Sequence, residues 1–540
     1  MTGTGTRTPA PSRISRSQIM TLVVASFALF MAMLDNTVVN VALTTIQADL
    51  DIGISGLQWV VSGYTLAFAS LMLSGGTVAD LFGRKRTFQT GLALFTVASL
   101  GCALAPEAGW LIAARIAQGV GAALLQPASL AVLTAAFPGA AERARAIGIW
   151  AGVSGLALGM GPVVGGALVE HASWQSVFLV NVPIGILGMV VAHRHVTESH
   201  HRGGRGLDLR GQVLAVITLS SLTYALIEAN DRGWTSTFSL SLFAIAVVTA
   251  GLFVREELRS ASPMLDLRFF RNPAFAGANV VGFAVGLGMF AIFFFLSINL
   301  QQTYGYSAFE AGVRILPVTI AIILAAPLSG WLAASWGPKV PLVLGLGLAG
   351  TAQLLLLTLD ADSAYHSYVW ILPLSGLGVG LTMTPMTAAV MEAVPTERAG
   401  MASATTSTAR EVGGNFGIAF IGALLVARFN DALTDRLTGI GMTPAAAEAV
   451  ATSAGSGAGD HANTATAGEQ ALDFTRLVNE SFVEGLHVGL IAAAGFLFAA
   501  MVIAWITIPS RRRGTRHDPA RSEPARDHIP NSLATQTVDA

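Results

Sequence analysis

The chain has 540 residues, of which 53% are hydrophobic and only 12% are charged, and its formal net charge is −1. Soluble domains carry about 25% charged residues, so this chain has too few charges to cover a water-facing surface. No basic face or tail dominates, which gives no sign of a nucleic-acid partner. The single cysteine, Cys102, excludes an intrachain disulfide framework and a cysteine-based zinc site.

Long apolar runs dominate the sequence. A helix needs roughly 20 residues to cross a hydrocarbon core of about 30 Å. Fourteen runs of suitable length follow one another, at 19–43, 57–79, 87–105, 110–136, 146–170, 176–192, 211–228, 235–254, 274–300, 311–334, 340–359, 367–391, 402–426 and 483–508. The first run is too long for a signal peptide, so we expect it to remain in the mature protein. The sequence therefore predicts an all-α membrane protein with 14 transmembrane helices and no cofactor.

The basic residues indicate the orientation of the chain. With the N-terminus in the cytoplasm, 24 of them fall on the cytoplasmic side and four on the opposite side. Three more, Arg115, Arg314 and Arg410, lie within the apolar runs. This asymmetry agrees with the positive-inside rule, and one missed helix would invert it downstream. Both termini are therefore expected in the cytoplasm.

Two similarities between the halves indicate an internal repeat. Gly76–Lys85 follows the second run and is similar to Gly330–Lys339, which follows the tenth run 254 positions later. Glu142–Ala144 precedes the fifth run and matches Glu397–Ala399, which precedes the thirteenth run 255 positions later. These offsets predict a 6+2+6 arrangement of helices. Parallel six-helix repeats are typical of alternating-access transporters, whose substrate site lies between the halves.

The repeat divides the chain into predicted parts. They are a cytoplasmic N-terminal tail (1–18), a first six-helix repeat (19–192), a linker with two inserted helices (193–273), a second repeat (274–508) containing an exterior loop (427–482), and a disordered cytoplasmic tail (509–540). Within the exterior loop, Thr443–Gly468 is rich in Ala, Gly, Ser and Thr, and we expect it to be mobile.

Several short motifs together resemble the major facilitator superfamily, in particular its branch of 14-span drug:proton antiporters. They are Leu34–Ala42, Gly76–Arg86, Arg115–Gly121, Gly155–Gly166, Asn181–Gly185 and the segment 402–420. The resemblance covers about residues 19–508. It implies a major facilitator fold and a proton-coupled antiporter that exports hydrophobic or amphipathic drugs or antibiotics across a bacterial cell membrane.

Asp35 and Arg115 are the candidate proton-coupling residues. A charged side chain inside a span costs about 2.5–3.5 kcal/mol on insertion scales, so it indicates function. Burial favours the neutral acid, as a proton carrier requires, whereas a nearby arginine favours the ionised form. At about 1.5 Å per residue, Asp35 lies about 12 Å and Arg115 about 8 Å from the outer ends of their spans. The resemblance implies that both spans line one cavity, so the side chains could meet. A structural hydrogen-bonding group in a wet cavity, or a static ion pair, is the alternative.

The segment between spans 2 and 3 is a candidate gate. Its motif residues are Gly76, Asp80, Gly83, Arg84, Lys85 and Arg86. The glycines favour a close helix approach and a tight turn, although three cations alone would satisfy the topology. The resemblance favours a conformational role.

Span 5 carries the candidate antiporter motif. Its residues are Gly155, Gly159, Gly161, Pro162, Gly165 and Gly166. Glycines spaced four apart place small residues along one face, where helices can pack closely in lipid. Generic packing is the alternative, but Pro162 among the glycines suggests a bendable segment at the interface between the halves.

Five polar residues are candidates for a substrate cavity. They are Asn36, Gln118, Gln126, Arg410 and Glu411. Few buried charges among Phe, Met, Ala and Gly suit an adaptable apolar pocket for a small organic molecule. Arg410 and Glu411 could contact the substrate or pair with each other.

Other functions fit the sequence less well. The phosphate-binding pattern Gly-x-x-x-x-Gly-Lys-[Ser/Thr] is missing from the sequence, which argues against ATP as the energy source. Ion-coupled uptake of a nutrient would explain everything except the span 5 motif and the two inserted helices. A membrane enzyme or sensor is the weakest alternative, because no span holds a His/Glu cluster or a Ser/His/Asp set.

Overall fold

The computed structural model describes residues 15–199, 206–394, 398–455 and 469–510, and the regular structure within these ranges is helical. The helices are α1 (Arg16–Leu50), α2 (Ile54–Phe82), α3 (Arg84–Ala103), α4 (Ala108–Ala136), α5 (Ala140–His171), α6 (Ser176–Leu179), α7 (Asn181–His195), α8 (Leu209–Arg232), α9 (Thr237–Arg259), α10 (Pro273–Ile298), α11 (Ala308–Trp336), α12 (Lys339–Leu355), α13 (Tyr365–Tyr368), α14 (Ile371–Glu392), α15 (Ala399–Gly439), α16 (Pro444–Gly455) and α17 (Glu469–Thr507). A π-helical turn, Asn299–Thr303, extends α10.

The apolar runs coincide with helices, and the sixth run covers α6 and α7 together. Within the described ranges, twelve helical segments are long and apolar enough to cross a membrane, including the inserted helices α8 and α9. α3 and α5 are not among the twelve. The first turn of α3 holds Arg84, Lys85 and Arg86, which lower the mean hydropathy of this helix. α5 has 32 residues and is therefore long enough to cross a membrane. The chain is therefore a multi-pass membrane protein with about twelve apolar helices, and a count of fourteen spans stays a prediction.

Small residues allow the helices to approach one another closely. In lipid no hydrophobic force drives helices together, so association depends on packing and interhelical hydrogen bonds. α3 and α4 meet at Gly91 and Gly121, where an added Cβ would lie 2.8 Å from the Leu125 amide nitrogen and 2.6 Å from the Phe95 amide nitrogen, respectively. Neither position can accept a side chain without moving the neighbouring backbone. The helices of the N-terminal half are therefore held at fixed separations.

The two halves contact each other where α5 packs on α11. An added Cβ at Gly166 would lie 2.5 Å from the Ala308 carbonyl oxygen, and one at Gly159 would lie 2.6 Å from the Thr319 side chain. Gly148 and Gly152 lie on the same face of α5, since helix positions three or four apart share a face. Among the described residues, no atom lies within 4 Å of an added Cβ at either of these two glycines. The halves therefore contact each other at the C-terminal end of α5 and are separated at its N-terminal end.

Hydrogen bonds join the halves at the same end. The Ser297 hydroxyl of α10 donates to the Asn40 carbonyl oxygen of α1 at 2.8 Å. The Gln58 side chain of α2 donates to the Ile418 carbonyl oxygen of α15 at 2.7 Å.

The inserted helices α8 and α9 pack on each other, and α8 packs along the junction of α2 and α15. There the Asn415 amide donates to the Thr223 hydroxyl at 2.7 Å.

The region predicted as a mobile exterior loop is partly helical. α15 has 41 residues and continues beyond the predicted end of its span, and α16 occupies Pro444–Gly455. The sequence did not predict the helix α16, mobility of the segment stays a prediction, and 456–468 lies outside the described residues. Ion pairs from Arg428 and Arg436 of α15 to Glu484 of α17 hold these extensions together. Composition could not reveal pairs formed between segments so distant in sequence.

Three other predicted features lie wholly or partly outside the described residues. They are the tails over residues 1–14 and 511–540, and Glu397 of the second repeat motif.

Candidate functional site

An ion pair lies buried inside the N-terminal half. Arg115 of α4 donates from Nη1 to Asp35 Oδ2 of α1 at 2.5 Å. The side chain of Asp35 is 0% exposed and that of Arg115 is 1% exposed. The expectation that these two side chains meet is confirmed. Because both charges are removed from water, their energy depends on the hydrogen bonds that surround them.

Those hydrogen bonds come from several helices. The Gln118 amide nitrogen donates to Asp35 Oδ1 at 2.8 Å, and its amide oxygen accepts from Arg115 Nη1 at 2.7 Å. Asn181 of α7 donates to the same carboxylate oxygen at 3.1 Å. The Arg115 Nε donates to the Val60 carbonyl oxygen of α2 at 3.0 Å. Asp35 thus accepts three hydrogen bonds, and changing its charge would alter every one of them.

Two members of this network were missed as site residues in the sequence. Asn181 lies within a recognised motif, but its amide gave no indication of its partner. Tyr64 of α2 lies with its ring 4.4 Å from the Arg115 guanidinium, a cation–π contact. Its hydroxyl donates to the Ala32 carbonyl oxygen of α1 at 3.2 Å. The available sequence signal for Asn181 was a polar residue within an apolar run. Tyr64 gave no such signal, because aromatic residues are common in apolar runs.

The glycine motif of α5 packs closely against α1. An added Cβ at Gly165 would lie 2.7 Å from the Val38 carbonyl oxygen of α1, and one at Gly161 would overlap the Thr37 side chain. Gly166 and Pro162 instead face α11, where the Pro162 carbonyl oxygen touches Gly312. Gly155 lies on the same helix, between these contacts and the N-terminal end of α5. α5 is therefore packed between α1 of one half and α11 of the other.

A second charged pair lies on α15. Arg410 Nη2 donates to Glu411 Oε1 at 3.1 Å, and the Glu411 side chain is 2% exposed while that of Arg410 is 21% exposed. The Asn36 amide of α1 lies beside the Glu411 carboxyl group, so this pair meets the N-terminal half. Of the two alternatives raised for Arg410 and Glu411, pairing is confirmed, and the Arg410 side chain remains partly exposed.

The two remaining cavity candidates, Gln118 and Gln126, lie at different positions along α4. Gln118 belongs to the Asp35 network. Gln126 lies eleven residues beyond Arg115 on α4, about 16 Å at about 1.5 Å per residue, and its side-chain oxygen is buried without a partner among the described residues. Gln126 therefore lies toward the separated end of the molecule.

The segment between α2 and α3 forms a turn held by charged groups. Arg84 donates to Asp80 Oδ1 from Nη2 at 2.9 Å and from Nε at 3.1 Å. Lys85 Nζ donates to the His193 carbonyl oxygen at 2.8 Å, and Arg86 lies 3.8 Å from Glu198. Gly83 has φ 107°, a conformation that glycine adopts at no steric cost. The predicted tight turn is confirmed.

The close helix approach in this segment is made by a different glycine. An added Cβ at Gly75 would overlap the Ala123 carbonyl oxygen of α4, whereas one at Gly76 would have only Pro127 Cβ nearby, at 3.8 Å. The assignment of the close approach to Gly76 is therefore corrected to Gly75.

The family follows from a direct comparison. The family model described as Major Facilitator Superfamily matches residues 25–418. The chain belongs to the Major Facilitator Superfamily. Both charged pairs and the glycine motif of α5 lie within the matched residues.

Relatives within the superfamily cover most of the chain. The multidrug resistance protein Stp of Mycobacterium tuberculosis is 37% identical over 500 residues, 92% of this chain and 93% of that protein. The methylenomycin A resistance protein of Streptomyces coelicolor is 38% identical over 395 residues, 73% of this chain and 83% of the relative. The tetracenomycin C resistance and export protein of Streptomyces glaucescens is 32% identical over 492 residues, covering 90% and 91%.

Solved structures support the superfamily fold. A bacterial homolog of the human lysosomal transporter Spinster superposes with a TM-score of 0.63 at 18% identity, covering 92% of this chain and 100% of that one. A peptide transporter, POT, superposes with a TM-score of 0.58 at 14% identity, covering 90% and 95%. At these identities the likeness concerns the fold alone.

Proposed function

We propose that the protein is a proton-coupled antiporter that exports small organic molecules, among them antibiotics, through fourteen spans arranged 6+2+6. Both termini lie in the cytoplasm, so the joined end of α5 faces the exterior and the separated end faces the cytoplasm. The relatives named for resistance and export favour outward transport over nutrient uptake. The membrane is the bacterial cell membrane, and the partners are lipid, protons and the exported molecule.

The observation that carries the coupling is the buried pair of Asp35 and Arg115. Asp35 is the carboxyl group held wholly inside the N-terminal half with three hydrogen bonds. A proton on Asp35 removes its charge and leaves Arg115 with the Gln118 and Val60 oxygens as acceptors. Loss of that proton restores the ion pair. The two protonation states therefore favour two different sets of contacts between α1 and α4, which is what a coupling group requires.

Coupling has an energetic limit. A total driving force of about 150 mV corresponds to roughly 3.5 kcal/mol per proton, since 100 mV is worth about 2.3 kcal/mol per charge. At about 1.4 kcal/mol per tenfold, one proton sustains a gradient of roughly 300-fold for an uncharged substrate.

The test begins with a substrate. A drug-sensitive bacterial host expressing the chain is grown across a panel of antibiotics, and the compound with the largest gain in resistance is used in proteoliposomes with an imposed pH gradient. We expect transport that disappears when an ionophore collapses the gradient. Transport that continues with the ionophore present would contradict proton coupling.

The decisive variant is Asp35→Asn, which keeps the shape of the side chain but cannot carry a proton, and whose amide nitrogen cannot accept the hydrogen bond from Arg115. We expect the proton-driven transport to vanish. Removing one partner of a buried ion pair costs about 3–5 kcal/mol, so folding of the variant must be verified by size-exclusion chromatography. Glu484→Gln is the matched control, because Glu484 also pairs with arginine but lies on the extension of α17. Wild-type transport by a folded Asp35→Asn variant would exclude Asp35 as the coupling acid.

A further inference from the structure

A groove opens between the first turns of α3 and the last turns of α7. Further along, the two helices pack closely: an added Cβ at Gly185 of α7 would overlap the Thr96 side chain of α3, and one at Gly188 would lie 3.1 Å from Leu92 Cδ2. Next to Gly188 the helices leave a groove of about 560 Å³, which we call the α3/α7 groove. The apolar part of its wall consists of Ala93, Met189 and Val190.

The apolar wall continues as an exposed stripe along both helices. Val97 of α3 lies four residues after Ala93, and Leu187 of α7 lies three residues before Val190, so each shares a face with the wall. Val97 is 67% exposed and Leu187 is 65% exposed. α3 and α7 pack on α1, α2 and α4 of their own half. The groove therefore opens on the outer surface of the N-terminal half, toward lipid, and not into the interface between the halves.

The other end of the groove is polar and positively charged. Its wall there consists of Gln89 and Thr90 of α3 and of His193 and Arg194 in the last turn of α7. Lys85 Nζ donates to the His193 carbonyl oxygen at 2.8 Å. Among the described residues, neither Arg194 nor Lys85 takes part in an ion pair. Two positive charges without a partner anion therefore lie at this end, beside an amide and a hydroxyl group.

The second repeat fills the corresponding place with its own side chains. The offset of 254 positions pairs Ala93 with Gly347. An added Cβ at Gly347 of α12 would lie 3.3 Å from Met501 Sδ of α17. Near the end of α17, the Trp505 ring has its centre 5.3 Å from Lys339 Nζ. The open groove is therefore a feature of the first repeat, since the same pair of helices in the second repeat packs without it.

We propose that the α3/α7 groove binds an anionic phospholipid of the cytoplasmic leaflet, with the phosphate group beside Arg194 and Lys85 and an acyl chain along the apolar wall. The inference goes beyond the proposed function and takes from it only the orientation of the chain, which places this end of α3 and α7 in the cytoplasmic leaflet. Basic residues next to a span attract the anionic lipids of that leaflet.

The chemistry of the groove matches this ligand in both of its parts. Phosphate oxygens accept hydrogen bonds, which arginine donates in a bidentate geometry and which the Gln89 amide and the Thr90 hydroxyl can also donate. A zwitterionic headgroup carries a cation as well, and the charges of Arg194 and Lys85 repel it. A soluble phosphate ester would occupy only the polar end, whereas an acyl chain also covers the apolar wall.

Quenching of a fluorescent label measures the binding. Bimane is attached to Val97→Cys in a Cys102→Ala background, and the purified full-length protein is reconstituted into phosphatidylcholine liposomes. The liposomes contain increasing fractions of phosphatidylglycerol or of phosphatidylcholine with brominated acyl chains, which quench the label on contact. We expect half-maximal quenching at a mole fraction at least tenfold lower for phosphatidylglycerol.

The second repeat supplies the matched label position. Thr351 corresponds to Val97 through the same offset and is also exposed, so a label at Thr351→Cys should be quenched equally by both lipids. At the Val97 position, Arg194→Gln should reduce the preference by about fivefold, equal to about 1 kcal/mol for one basic residue at an anionic membrane surface. Arg194→Lys should retain most of the preference. Arg259→Gln removes an exposed cation from the last turn of α9 and should leave the preference unchanged.

Several results would overturn the inference. Equal quenching by the two lipids at Val97, an equally large preference at Thr351, or an unchanged preference in Arg194→Gln would each do so. Release of brominated phosphatidylglycerol by millimolar inorganic phosphate would assign the polar end to a soluble ligand and would also overturn it. Because the assay needs neither a proton gradient nor a substrate, lipid binding without export would refute the proposed function alone, and export without lipid preference would refute this inference alone.

Discussion

Replacing Gly166 by alanine should weaken the contact between the halves. The new methyl carbon would lie 2.5 Å from the Ala308 carbonyl oxygen and 2.6 Å from the Phe309 Cα, so the α11 backbone would have to move. Overpacking of this kind costs about 1–3 kcal/mol. At about 1.4 kcal/mol per tenfold, the joined conformation would lose between about 5-fold and 150-fold in population relative to one in which α5 and α11 separate.

The population can be measured by alkylation of a buried cysteine. Ser297 is 0% exposed and bonds to the Asn40 carbonyl oxygen at the joined end, so Ser297→Cys in a Cys102→Ala background reacts with a maleimide only when that end opens. We expect Gly166→Ala to raise the reaction rate in purified protein by roughly tenfold, a value within the range given by the overpacking cost.

Gly148→Ala is the matched control for this experiment. Gly148 lies on the same helix and the same face, and an added Cβ there meets no atom of the described part of the chain within 4 Å. Both substitutions raise helix propensity by the same amount, about 1 kcal/mol, so the propensity effect cancels. Equal alkylation rates in the two variants would refute the assignment of Gly166 to the contact that joins the halves.

Two further predictions concern helix packing and topology. Gly75→Ala should lower the melting temperature by several degrees, because its methyl group overlaps the α4 backbone, while Gly76→Ala should change the melting temperature little. Differential scanning fluorimetry compares the two variants. An equal loss of melting temperature in both would contradict the assignment of the close approach to Gly75. In a Cys102→Ala background, a cysteine at Asp231 should react with an impermeant maleimide in intact cells, whereas a cysteine at Arg268 should react only after permeabilisation. Labelling of the Arg268 cysteine in intact cells would contradict the fourteen-span topology.

The helices and the charged pair were accessible to sequence reasoning for different reasons. Runs of about 20 apolar residues are required by the thickness of the bilayer, so their positions follow from composition. Asp35 and Arg115 could be placed at similar depths because each helical residue adds about 1.5 Å, but their contact also required the family resemblance, which places α1 and α4 at one cavity. The hydrogen bonds from Gln118 and Asn181 depend on how far each helix is rotated, which depth does not specify.

Helix rotation explains the error at Gly76. A helix that is apolar on all sides gives little periodic signal from which its orientation can be read. Gly75 and Gly76 are adjacent, so they point about 100° apart, and only one of them can face α4. The motif identified the pair of glycines, whereas the contact with the Ala123 carbonyl oxygen selects Gly75.

The rotation of α1 about its axis brings this helix into contact with both halves of the protein. Asp35 and Asn36 are consecutive and therefore face different neighbours: Asp35 contacts Arg115 within its own half, and Asn36 lies beside Glu411 of the other half. The glycine contacts of α5 hold α1 close against it. We therefore expect a movement of α5 away from α11 to carry α1 with it and to separate Asn36 from Glu411. The proposed proton site at Asp35 and the contact between the halves at Asn36 are thus carried by one helix, α1, which packs on α5.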